Sequence, residues 1–328
     1  MTKKTVALLL FGTGLCVLYL LNIPLDEAMR LLHEVPKRPL LLVVGANAVT
    51  VLLKAIRWRA LLRHAGARIR FSTIFSSVSA GFFLGLVTPG TSGEFGRVIT
   101  LDVDRVTGFA TVLFEKVWDL VILALLALTA LVALKLHGAA LAAGVAAVWI
   151  GGALAVFLVA RRPRLASAIP RLVVRRVLSR ERGDQIAAIW LQVVALLQNA
   201  RITVFSAAFS IVMWGIGGSQ YFGVLRALGV NATLPMVLVS FFVPYLAGVL
   251  SLVPLGLGVF DLSTAAASGA FGVPKAVATA TVLLYRILVT LVLVMWGFAC
   301  YLYRIRKKGR AGAPSSVLEA QREHRERG

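Results

Sequence analysis

Apolar residues along this chain fall in long runs. Residues 5–22, 39–53, 108–134, 139–160, 202–225, 234–255 and 276–303 each carry few or no charges. A helix needs roughly 20 largely apolar residues to cross the hydrocarbon core of a bilayer, so most of these runs predict spanning helices. The first lies behind Lys3 and Lys4 and is followed by Asn22-Ile23-Pro24-Leu25. With no Ala-x-Ala-like cleavage site, it is expected to be a retained helix.

Two stretches interrupt the pattern. The apolar segment from Phe71 breaks at Thr88-Pro89-Gly90-Thr91-Ser92-Gly93-Glu94-Phe95-Gly96-Arg97. The one from Leu234 breaks at Pro254-Leu255-Gly256-Leu257-Gly258-Val259-Phe260-Asp261. Unpaired backbone groups are too costly in hydrocarbon, so both breaks are expected to be buried in protein or to line a wet cavity, as re-entrant hairpins. Gly90, Gly93, Gly256 and Gly258 would supply positive φ and close backbone approach there, next to Pro89 and Pro254. The predicted fold class is an all-α polytopic membrane protein with about six full transmembrane helices and two Pro/Gly-broken hairpins. Residues 1–304 would form one transmembrane domain, and 305–328 a basic, disordered cytoplasmic tail.

A weak internal similarity joins the halves. Thr111-Val112-Leu113-Phe114-Glu115-Lys116 resembles Thr281-Val282-Leu283-Leu284-Tyr285-Arg286, which aligns Lys116 with Arg286. Candidate repeat halves at about 71–134 and 234–303, entered from opposite faces, match the layout of inverted-repeat transporters, whose substrate site lies at the broken helices near the midplane.

Composition agrees with lipid exposure: 59% hydrophobic and 15% charged residues, against about 45–50% and about 25% in soluble domains. The net charge of +21 does not point to nucleic acid, because the cations stand in short connections beside apolar runs. Six lie between Lys54 and Arg70, eight between Arg161 and Arg182, and more from Arg304 to Arg310. Such cations stay cytoplasmic and meet anionic headgroups, so both termini are expected inside a plasma or inner membrane. Arg57, Arg59 and Arg63, against Trp58, Leu61 and Leu62, suit a helix end along the interface with snorkelling arginines. Cys16 and Cys300 sit in apolar runs as packing residues, and the four histidines are scattered. No metal or cofactor is expected.

Ionisable residues at membrane depth need partners or a function. Glu94 and Arg97 occupy the first break, Glu115, Lys116 and Asp119 the next span, Asp261 the second break and Arg286 the last span. Glu115 and Asp119 share a helix face, which calls for a cation opposite, a shared proton or exposure at the helix end. Arg286, among leucines, should pair with a carboxylate or hold an anionic ligand. Glu94 and Asp261 could instead cap the helices that follow them.

These segments resemble the lysylphosphatidylglycerol synthase transmembrane (flippase-like) family. Arg57-Trp58-Arg59-x-Leu61-Leu62 and Pro89-Gly90-x-x-Gly93-Glu94-x-x-Arg97 carry the resemblance first. Phe114-Glu115-Lys116-Val117-Trp118-Asp119-Leu120, the second break and Tyr285-Arg286 follow in order. Lys116 and Asp261 stand where the family pattern has Arg and Glu, and Leu255 where it has Gly. The resemblance implies a bacterial or archaeal membrane protein that moves an anionic or aminoacylated phospholipid between leaflets. Arg97, Lys116 and Arg286 would neutralise phosphate, and Glu94, Glu115 and Asp119 would balance a cationic head or carry coupling protons. It also implies membrane lipids as partners and leaves room for a lipid-pathway enzyme encoded elsewhere. A non-catalytic scaffold is the alternative. An intramembrane enzyme is disfavoured, since there is no Asp-rich metal pair, His–acid dyad or activated nucleophile.

Overall fold

The computed structural model describes Arg30 and residues 33–86, 88–161 and 180–311. The run 5–22, Cys16 and the basic stretch 162–179 lie outside these described residues. The helices are α1 (Lys37–His64), α2 (Phe71–Leu86), α3 (Arg105–Lys135), α4 (Gly138–Arg161), α5 (Arg180–Gln198) and α6 (Ala200–Ala227). They continue with α7 (Leu234–Leu250) and α8 (Val259–Gly269). The last, α9, runs through Lys275–Tyr285, a π segment Arg286–Leu291 and Val292–Ala311. Among the described residues, α1, α3, α4, α6 and α9 are long and apolar enough to cross a bilayer.

Local signals fix the ends. The Asp104 carboxylate caps α3 by accepting the Thr107 N–H at 2.8 Å, and Asn199 caps α6 by accepting the Ile202 N–H at 3.2 Å. Past the end of α6, Gly229 takes φ 77° while Val230 N–H returns to Leu225 O. No residue in the apolar window of α4 is buried, so this helix lies at the periphery. By contrast, Trp58, Leu61, Leu62, Phe114, Tyr221 and Phe241 have no exposed surface and form the interior. Here Trp58 donates its indole N–H to Thr111 Oγ1 at 3.1 Å.

The two hairpins enter from opposite ends of α9. Arg304, near its C-terminal end, donates to Thr100 O, and Thr100 Oγ1 donates to Ser77 Oγ at 2.9 Å. Deeper along α2, Gly85 shares a cavity wall with Thr290. The second hairpin, α7–α8, instead leads directly into the start of α9, and its tip meets Arg286, eleven positions beyond Lys275. The two tips, 3-10 turns at Pro89–Phe95 and Pro254–Gly256, pack against each other.

The first tip is closed by Thr88, whose Oγ1 donates to Leu84 O at 2.7 Å and accepts the Gly93 N–H at 2.6 Å. Gly93 does not adopt the positive φ expected of it. Its need is space: a Cβ there would stand 2.0 Å from Leu84 O. Gly256 and Gly258 do take positive φ, 60° and 75°, and so does Leu255 at 59°. Three elements depart from the sequence reading. α5 had no assignment, π segments occur at Leu238–Phe242 and Arg286–Leu291, and α9 continues helical to Ala311, beyond the expected tail boundary.

Candidate functional site

Two cations of α1, Lys54 and Arg57, stand three positions apart and so share a face. Arg57 is 0% exposed and is not the snorkelling residue that its basic neighbours suggest. Its Nε donates to Glu115 Oε1 at 3.0 Å. Its Nη1 and Nη2 take Asp119 as a fork at 2.7 and 3.0 Å. Ser210 of α6 adds a 2.7 Å contact to Nη1 and donates to Asp119 Oδ1 at 2.6 Å. Arg57 is thus the cation that the Glu115/Asp119 face requires. The second oxygen of Glu115 accepts from Arg97 Nη2, and that guanidinium lies 4.2 Å over the Trp58 ring.

Glu94 is not a helix cap. Its carboxylate is held between Lys54 Nζ at 2.7 Å and Lys116 Nζ at 2.5 Å. Gly85 makes room for it, since a Cβ there would fall 2.5 Å from Glu94 Cγ. Together these two groups, Lys54–Glu94–Lys116 and Arg97–Glu115–Arg57–Asp119, hold four cations and three carboxylates, one positive charge in excess. Lys116 is eleven positions into the 31-residue α3, about 16 Å along its axis and so well inside the helix.

A second cluster closes the other tip. Arg286 donates Nε and Nη2 to Asp261 at 2.8 and 3.0 Å and Nη1 to Leu255 O at 2.7 Å, 5.0 Å over the Phe260 ring. Asp261 also accepts the Gly258 N–H at 2.9 Å, so it both caps α8 and pairs with Arg286. Lys116 and Arg286 stand alike: each is eleven positions into a long helix and reaches the acid of the preceding break.

Between these clusters lies a cavity of about 200 Å³ whose charged lining is Lys54, Glu94, Lys116 and Asp119. Asn47, Thr50 and Gln220 add neutral polar groups, and Trp214, Phe241, Tyr245 and Tyr285 an aromatic wall. A smaller cavity of about 60 Å³, lined by Thr88, Gly256 and Arg286, adjoins it through Gly85, Tyr245 and Tyr285. Of the residues singled out in the sequence, Glu94, Lys116, Asp119 and Tyr285 face the main cavity, and Arg286 the smaller one. Arg97 and Glu115 do not line either and sit behind the wall, so the expected phosphate contact from Arg97 is not formed by this arrangement. Asp261 lies behind Arg286, and Pro89, Gly90, Gly93 and Pro254 build the tips. Sequence inspection missed Lys54, Arg57, Asn47 and Gln220. Gln220 Nε2 donates to Val43 O and to Asn47 Oδ1, both at 2.8 Å. Asn47 Nδ2 in turn takes Leu288 O, inside the π segment of α9, at 2.7 Å. Among the described residues, no group of three or more His, Cys, Asp or Glu could hold a metal.

An all-helical polytopic membrane protein, with two charged breaks meeting at an internal cavity, is the class that this geometry defines. The chain belongs to the family described as the lysylphosphatidylglycerol synthase TM region, whose model matches residues 5–297. It is similar to a UPF0104 membrane protein of Pyrococcus horikoshii, 23% identical over 310 residues that cover 87% of this chain and 92% of that one. It is also similar to glycosyltransferase AglD of Haloferax volcanii, 30% identical over 268 residues, which cover 68% of this chain and 42% of AglD.

Proposed function

We propose that this protein binds the headgroup of an anionic phospholipid, or a related or aminoacylated lipid, in the cavity between the hairpins and passes it between leaflets without chemical change. The observation that carries this reading is the Lys54–Glu94–Lys116 triad on the wall of a cavity at membrane depth. A desolvated cavity with excess positive charge attracts a phosphate, and the acyl chains can stay in lipid while the head crosses. The basic ends of α1 and α9 would face the cytoplasm.

The test is leaflet exchange of fluorescent phospholipids in proteoliposomes, read by chemical quenching of the outer leaflet. Wild-type protein should raise exchange of anionic lipid above that of protein-free vesicles, and Lys116→Gln should remove most of the gain while the protein elutes as a folded species. Exchange no faster than in empty vesicles, for every lipid tried, removes the translocation reading. A second reading, a non-catalytic membrane partner in a lipid or glycolipid pathway, draws on the likeness to AglD, a glycosyltransferase by name, of which the match spans under half.

A further inference from the structure

The charge and hydroxyl inventory of the cavity distinguishes among lipid heads, and it does so against a cationic one. All six carboxylate oxygens of Glu94, Glu115 and Asp119 already accept from a Lys or Arg of the network. An incoming ammonium would therefore find no uncompensated acid, and it would add to a site that already carries one positive charge too many. A phosphodiester would find the reverse. Each lysine ammonium has three donors, and Lys54 gives one to Glu94 with the Phe82 ring 4.7 Å away.

The remaining polar groups are neutral; Asn47 and Thr50 are engaged within the protein, and three oxygens are left without a partner among the described residues. The Tyr245 and Tyr285 hydroxyls make no hydrogen bond among the described residues, although Tyr285 is only 5% exposed and both rings line the two cavities. Gln220, 4% exposed, uses both N–H donors within the protein, which leaves its Oε1 as an acceptor on the cavity wall. These three oxygens have no partner among the described residues yet are not sealed from the cavity, so a ligand there can pair with them. Hydroxyls, which both donate and accept, match two phenols and an amide oxygen beside an aromatic wall.

We infer that the cavity selects a lipid phosphodiester whose head is uncharged and hydroxyl-bearing, a glycerol or a sugar, and discriminates against an aminoacylated, cationic head. This rests on the headgroup-binding reading above but not on translocation.

Binding separates the two. Protein in neutral-detergent micelles holding fluorescent phosphatidylglycerol is titrated with phosphatidylglycerol, a glycosyl phosphodiester lipid, phosphatidylmethanol and lysyl-phosphatidylglycerol. Phosphatidylmethanol keeps the charge but has no head hydroxyl, so it should displace the probe about fivefold less well, the worth of one net hydrogen bond. Lysyl-phosphatidylglycerol should be weaker by at least about tenfold, from repulsion at an already positive site. Tyr285→Phe, which removes a single oxygen, should lower phosphatidylglycerol to the level of phosphatidylmethanol and leave the latter unchanged, a pattern that misfolding would not give.

Equal or tighter binding of the lysyl lipid overturns the inference, as does equal binding of phosphatidylglycerol and phosphatidylmethanol, or no displacement by any lipid. Displacement by soluble glycerol phosphate at equal concentration would mean a soluble ligand and overturn it too. The expected selectivity without leaflet exchange upholds the inference while removing translocation. A preference for the lysyl lipid together with exchange does the opposite.

Discussion

Replacing Arg57 by leucine removes, among the described residues, the cation paired with Asp119 and one of two that hold Glu115. The two acids lie one helical turn apart on α3, and Asp119 would keep the Ser210 hydroxyl and the more distant charges of Lys54 and Lys116. Removing one partner of a buried ion pair costs about 3–5 kcal/mol, because the other charge stays desolvated. Arg57 has no exposed surface, but the Asp119 side chain is 17% exposed on the cavity wall, so solvent screening puts the loss toward the lower end of that range. Adding Asp119→Asn should recover about half the loss, since Glu115 keeps Arg97 and the new amide can still bond Ser210. The assay is reversible unfolding in mixed micelles with increasing sodium dodecyl sulfate, with the monodisperse peak on size exclusion as a second readout. A surface arginine lying along the membrane interface would give a change of about 1 kcal/mol or less. Such a value for Arg57→Leu, or no recovery in the double variant, would refute the buried network.

Two further predictions concern the backbone and the helix ends. Gly93→Ala should destabilise the protein by about 3 kcal/mol in the same unfolding assay, as the tip must part from Leu84 O. Gly151→Ala, where nothing lies within 4 Å, should be neutral or slightly stabilising. Asp104→Ala should cost about 1 kcal/mol at neutral pH. Backbone and side-chain hydrogen bonds from Thr107 hold the Asp104 carboxyl below its ordinary value of 3.8. Its contribution is therefore complete above that value and fades as pH falls through the lower folded one, so wild type and variant should converge in acid.

The spans and both breaks were legible because lipid exposure writes itself as composition, and the like-charge spacing of Glu115 and Asp119 called for a cation, a proton or exposure, of which the structure supplies the cation. Arg57 could not be picked out as that cation. It heads a basic stretch in which Arg63 is exposed, and only its register with Val51, Trp58 and Leu61 marks a buried face. Glu94 was ambiguous for a related reason: an acid at a helix start is a cap by local rules, and only Lys54 and Lys116, 40 and 22 positions away, make it an ion-pair acceptor. The π segments leave no trace in hydropathy, since they shift hydrogen bonds without changing residue type. α5 went unread because it follows the arginine-rich stretch and itself mixes charges with apolar residues at Arg180–Gln198.

The ion network also constrains how the protein is made. α1 bears Lys54 and Arg57, whose acids come later in synthesis: Glu94 in the first hairpin, 40 positions on, and Glu115 and Asp119 on α3, 58 and 62 positions on. A lone α1 at its final depth would hold two unmatched cations in hydrocarbon, at about 2.5–3.5 kcal/mol each by insertion measurements. Each cation therefore gains its partner only as the first hairpin and then α3 emerge. Biogenesis is thus a joint settling of the two helices, and a chain stalled between them would leave α1 as a substrate for quality-control proteolysis.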